Sequence, residues 1–118
     1  MIVVIFEAYP AMGKWDVYLD LAAALKPELG KIKGFMSIER FQSVSNPDKV
    51  LSLSFWEDEE SIEKWRNMRL HRQAQIEGRE AVFNNYKLRV ATVIRDYGMT
   101  EREQAPQDSK IIQNQKDI

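Results

Sequence analysis

The hydrophobic pattern of this chain switches repeatedly between a period of two and a period of 3.6, and the order of those switches restricts the fold more than any single residue does. Residues 2–9 are apolar and β-branched (Ile2, Val3, Val4, Ile5, Phe6), which predicts a first strand buried on both faces. Pro10 and Gly13 mark a loop. Over 14–26 the spacing becomes helical, with Trp15, Tyr18, Leu19, Ala22 and Leu25 on one face. Pro27 is expected to end or kink this helix, because it lacks an N–H and its ring crowds the preceding turn; Leu29 would extend the apolar face by one turn. Gly34 opens a strand over 35–43, and Ser45-Asn46-Pro47-Asp48 is a turn that returns the chain as a third strand over 49–56, an antiparallel hairpin. Asp58 is a helix N-cap, with Glu59 and Glu60 in the first turn where the helix dipole favours them.

The helical pattern then continues to about Phe83, but its apolar phase slips, so a break is expected near Asn67–Leu70. Ile62 and Trp65 share a face of the first piece; His71, Ala74, Gly78 and Val82 share one of the second. Asn84-Asn85 is expected to be a turn before a long last strand, 86–97. In that strand Leu88, Val90, Thr92 and Ile94 face one way, and Arg89, Ala91, Val93 and Arg95 the other.

The order β-α-β-β-α-β predicts an α+β domain of ferredoxin-like type, one helix layer on one face of a four-stranded antiparallel sheet. The first and last strands are apolar on both sides, and one helix layer covers one face only. The other face needs a partner, and a second copy of the chain related by a two-fold axis supplies it, so a homodimer is expected. The domain is placed at 1–98. Residues 99–118 are polar, contain Pro106 and show no periodicity, and are read as a mobile tail or an arm packed on a partner.

The charge balance excludes several classes. Lys and Arg number 17 against 18 Asp and Glu, a net −1 with both signs mixed, so no electrostatic capture of nucleic acid or of an anionic membrane is expected. The N-terminal apolar run has no basic flank and is interrupted by Glu7, which argues against a signal peptide. No stretch approaches the ~20 apolar residues of a membrane span. Without cysteine there is no disulfide framework or thiol chemistry, which fits a cytoplasmic location.

The block Ser52-Leu-Ser-Phe-Trp-Glu-Asp-Glu-Glu-Ser-Ile-Glu-Lys-Trp65, followed by His71-Arg72-Gln73-Ala74-Gln75 and a β-rich end, resembles the antibiotic biosynthesis monooxygenase (ABM) domain; Gly34-Phe35-Met36-Ser37-Ile38 is similar to its second strand. The resemblance covers about residues 2–98. It implies a dimeric α/β barrel with a pocket in each subunit between sheet and helices. It also implies a cofactor-independent monooxygenase acting with O₂ on a small aromatic or quinone-like compound, with no metal, flavin or other cofactor. Family members without activity leave a second reading, a non-catalytic small-ligand-binding or stress-related dimer. Heme-degrading relatives leave a third, which the sequence disfavours. Those relatives carry a first-strand Asn where Glu7 stands here, and a ligating His about two and a half turns after the helix Trp, near Gln75, whereas His71 follows Trp65 by only six residues.

The candidate site residues follow from that resemblance and from side-chain chemistry. Trp65 matches the helix tryptophan that the family lays against its ligand, and a flat indole suits stacking on a polycycle; the alternative is a plug of the core. His71, the single histidine, is the natural base near neutral pH, and the competing role is a bond to a backbone carbonyl at the helix break. Trp56, Tyr86 and Arg95 are the candidate pocket lining. One of Arg40, Arg89 and Arg95 could neutralise an anionic substrate or an oxyanion, although pairing with Glu39 or Asp96 at a sheet edge is the favoured role. No cluster has metal-ligand spacing.

Overall fold

The computed structural model describes residues 1–77 and 82–111. Its elements are β1 (Ile2–Pro10), α1 (Trp15–Leu29), β2 (Phe35–Gln42), β3 (Val50–Trp56), α2 (Glu59–Arg66), α3 (Arg69–Glu77), β4 (Phe83–Thr92) and α4 (Gln107–Ile111). The four strands form one sheet in the order β2-β3-β1-β4, with every neighbouring pair antiparallel. This is the ferredoxin-like arrangement: each crossover helix carries the chain past one strand position, and β1 and β3 end in the middle. No described helix is long and apolar enough to cross a membrane.

Strand parity divides the sheet. Val4 and Phe6 of β1, Ile38 and Arg40 of β2, Ser52, Ser54 and Trp56 of β3, and Tyr86, Leu88 and Val90 of β4 all point towards the helices. Val3, Ile5, Glu7, Leu51, Leu53, Phe55, Arg89 and Ala91 point away from them. Across β1 and β3 this second face is apolar except for Glu7, and its residues are only half-buried in the protomer. The expectation of a first strand buried on both faces therefore holds for one face of the single chain.

Beneath the helices the core is in two parts. One joins Ala8, Tyr18, Val50 and Val82, with Phe6, Trp15 and Phe83 against them. The other joins Leu29, Trp56, Ile62 and Trp65, with Val4, Leu25, Phe35, Ile38 and Met68 around them. Trp56 is 2% exposed, donates Nε1–H to Ser54 Oγ at 2.9 Å and meets the edge of Phe35. Truncating a tryptophan so placed costs about 3–5 kcal/mol.

Three sequence expectations change. The α1 helix does not stop at Pro27, one of the two outcomes expected of that residue; it runs on to Leu29, the further turn its apolar face offered, and Leu29 is 3% exposed. Pro27 lies in the last turn, where one lost hydrogen bond is offset by burying Leu29. Asn84-Asn85 is no turn. Tyr9 pairs with Asn85 and Pro10 with Phe83, so Asn84 is the extra residue of a bulge inside β4. Asn85 Oδ1 accepts from Tyr86 N–H at 2.9 Å, the same local bonding that makes Asn a turn residue. The last strand is 83–92 rather than 86–97.

The helix break falls where the phase slips, between Arg66 and Arg69. Gly78 lies outside the described residues. The segment beyond the sheet carries α4, and Arg102 lies over the Tyr97 ring and donates to the carbonyls of Gly98 and Ser109.

Candidate functional site

A cavity of about 600 Å³ lies between the helix-facing side of the sheet and α1, α2 and α3. Its size is in the range of small-molecule sites. Val4, Phe6, Leu21, Leu25, Ile38, Leu88 and Val90 make most of its wall apolar. Among the described residues its charged lining is Arg40, Arg66 and Arg72, with no aspartate or glutamate.

Placement of α2 sets the tryptophan wall. Asp58 Oδ1 caps the helix by accepting Ser61 N–H at 2.8 Å and Ser61 O–H at 2.7 Å, and these bonds hold the Asp58 carboxyl below the usual carboxylate range. Ser61 Oγ also lies 2.8 Å from the Lys33 carbonyl, and Glu57 N–H donates to the Gly34 carbonyl at 2.7 Å. Gly34 has φ +97°, and a Cβ there would overlap Ser61 Oγ. The start of α2 is thus pressed onto the chain entering β2, which fixes where Trp65 stands two turns later.

The helix break brings His71 back over Trp65. The two rings stack with centroids 4.5 Å apart and planes 18° from parallel. His71 Nδ1 is 3.0 Å from the Trp65 carbonyl, one of the groups that the end of α2 leaves without a helical partner. This contact assigns the Nδ1–H tautomer and leaves Nε2 as the acceptor nitrogen. Burial pushes the His71 pKa below the ordinary histidine value; the hydrogen bond to Trp65 opposes the shift and the Arg72 charge adds to it. The ring is therefore neutral at pH 7. The carbonyl bond at the helix break, one of the two roles weighed for His71, is present, and the ring also lines the cavity.

Trp56, Trp65, His71 and Tyr86 line this one cavity. Trp56 forms its floor, and Tyr86 lies 5.5 Å from Phe6 on its wall. Arg95 does not line it. It is exposed and lies three residues past the end of β4, beyond a bend at Ile94. Arg89 is on the helix-free face, bonded to Glu7 at 3.3 Å, while Lys49 approaches the same carboxylate at 3.5 Å. These partners, Arg89 foremost, hold the Glu7 carboxyl below its usual value. Glu7 therefore points away from the cavity.

Of the three arginines, only Arg40 enters the cavity. Its Nε donates to Tyr18 Oη at 3.1 Å. Tyr18 counted in the sequence only as part of an apolar helix face, and Ser52 only as a strand residue. The signal that finds them is parity, since both Arg40 and Ser52 share the phase of Ile38 and Trp56.

Fold and cavity together define a ferredoxin-like domain with a mainly apolar cavity between its sheet and its helices. The chain belongs to the antibiotic biosynthesis monooxygenase family, whose model matches residues 1–76. It is 46% identical over 93 residues to the jasmonate monooxygenase ABM of Pyricularia oryzae, a match covering 79% of this chain and 43% of that protein. The chain thus spans less than half the length of that relative. The fold is similar to that of Rv0793 from Mycobacterium tuberculosis, with TM-score 0.73 and 11% identity over 82% of this chain and 98% of that one. It is also similar to a candidate antibiotic biosynthesis monooxygenase from Deinococcus radiodurans, with TM-score 0.74 and 10% identity over 83% and 97% of the two chains.

Proposed function

We propose that this domain is a cofactor-independent monooxygenase that oxidises a small, largely apolar aromatic or quinone-like compound with O₂ in the cavity beneath Trp65. The Trp65–His71 stack carries this reading. The indole offers a flat surface for a ring, and the neutral imidazole beside it is held by Nδ1, so that Nε2 is free to accept a proton. Proton transfer from a substrate hydroxyl to Nε2 makes an electron-rich phenolate. That anion passes an electron to O₂, and the two radicals combine at carbon. Loss of water then leaves a quinone, with one oxygen atom retained and the other released as water. An apolar wall excludes bulk water from the reactive intermediates.

The working unit of this proposal is a homodimer. Its support is the half-buried helix-free face, where Val3, Ile5, Leu51, Leu53 and Phe55 lie side by side. Residues 1–98 are the domain, and the segment that follows serves as a polar tail or a dimer-packing arm; a cytoplasmic location accords with the lack of cysteine.

Oxygen uptake tests the activity, with a panel of phenols, hydroquinones and jasmonate, the last taken from the relative's name. The expected result is substrate-dependent uptake that is lost in both Trp65→Ala and His71→Ala. Ligand binding without uptake would leave the non-catalytic binding domain as the function.

A further inference from the structure

The cavity has a second polar feature, away from the Trp65–His71 pair. Arg40 on β2 faces Ser52 on β3 as a direct cross-strand pair, and both side chains line the cavity. Such pairs have Cβ atoms about 5 Å apart. Tyr18 on α1 meets Arg40 from above, accepting from Nε at 3.1 Å, and the guanidinium carbon lies 5.9 Å from the centre of its ring. Among the described residues no hydrogen bond engages its terminal N–H groups.

Among the described residues Arg40 has no carboxylate partner, and the Ser52 hydroxyl makes no hydrogen bond; it is not a buried orphan, but opens onto the cavity. Tyr18, with its oxygen accepting from Arg40, still has its own proton to give. Three donor groups therefore converge at one end of a cavity that holds no acidic side chain among the described residues. A half-buried guanidinium left without a counter-ion is costly in an apolar wall, and an anionic ligand group removes that cost.

We propose that Arg40, Ser52 and Tyr18 form a carboxylate subsite, and that the ligand is an amphipathic monocarboxylate whose apolar body reaches from Arg40 to Trp65. This deepens the proposed function and rests on the cavity being the substrate site. Arg40 supplies the charge and a two-pronged N–H contact, Ser52 donates to the same carboxylate, and Tyr18 positions the guanidinium. Ser52 and Trp56 are four residues apart on β3, roughly 13 Å along the strand. A ring against Trp65 with a chain of a few carbons ending in a carboxylate spans that length. The anion fixes which carbon of the body lies under His71, so the subsite also selects the position oxidised.

The test compares phenylbutyrate with its uncharged methyl ester at pH 7, with binding followed by tryptophan fluorescence. The acid is expected to bind about tenfold or more tightly than the ester to the native chain, as a charge-assisted contact implies. Arg40→Gln is expected to cut that preference by most of its tenfold, the acid losing far more affinity than the ester. Ser52→Ala and Tyr18→Phe are expected to reduce the preference in part, and they carry the same comparison if far-UV circular dichroism shows Arg40→Gln unfolded. Equal binding of acid and ester by the native chain, or a preference that survives all three substitutions, overturns the subsite and leaves the cavity reading standing. Failure of both acid and ester to bind overturns the cavity reading and the subsite with it.

Discussion

Replacing Gly34 by alanine is expected to destabilise the domain more than almost any other single-methyl addition. Gly34 has φ +97°, a conformation that costs an L side chain about 1–2 kcal/mol. The added Cβ would also overlap Ser61 Oγ. Ser61 is 4% exposed and tied to Asp58 and Lys33, so it cannot swing aside, and overpacking of this kind costs about 1–3 kcal/mol. Together these predict a loss of about 2–5 kcal/mol. For a chain of this length each kcal/mol lowers Tm by about 4 °C, so the shift is about 8–20 °C. Thermal unfolding by circular dichroism at fixed protein concentration measures it, the concentration being held because association adds to apparent stability. The double variant Gly34→Ala/Ser61→Gly separates the two causes. Removing Ser61's side chain relieves the overlap and leaves the backbone cost, so a coupling of about 1–3 kcal/mol is expected between the sites. A Gly34→Ala chain that unfolds within about 1 kcal/mol of native, or a coupling near zero, refutes the view that this contact positions α2 and Trp65.

Three further outcomes follow from the same structure. Because burial lowers the His71 pKa in the folded chain, the unfolded chain binds this proton first on acidification; stability is therefore lost as pH falls from about 6.5 towards the lowered native value, and is level below it. Stability curves of native and His71→Gln chains should differ in slope within that window alone, and parallel curves there count against a buried neutral imidazole. Leu53→Asp places a charge in the middle of the helix-free face, and sedimentation should show native dimers becoming monomers; a native chain already monomeric at micromolar concentration rejects the dimer. Arg95→Ala should leave phenylbutyrate binding unchanged within about twofold, because Arg95 is exposed beyond the end of β4 and outside the cavity lining.

What the residue order settles on its own is everything governed by local periodicity. The alternation in 35–43 and 49–56, the helical spacing after Trp15 and Asp58, and the phase slip near Asn67 each report a local preference that the tertiary structure keeps. The family block from Ser52 to His71 was legible for the same reason, being nearly continuous in sequence. Local signals that competed with packing were less secure. Pro27 lost to the burial of Leu29, and Asn84-Asn85 bent a strand instead of ending it, because pairing with β1 supplied more than a turn could. Which arginine matters was beyond the sequence. Arg40, Arg89 and Arg95 look alike as strand cations. Only the completed sheet places Arg40 under Tyr18 in the cavity, Arg89 against Glu7 on the opposite face and Arg95 past the end of β4. Charge tells what a side chain can bind, and the face it occupies depends on strand register and length, which long-range pairing decides.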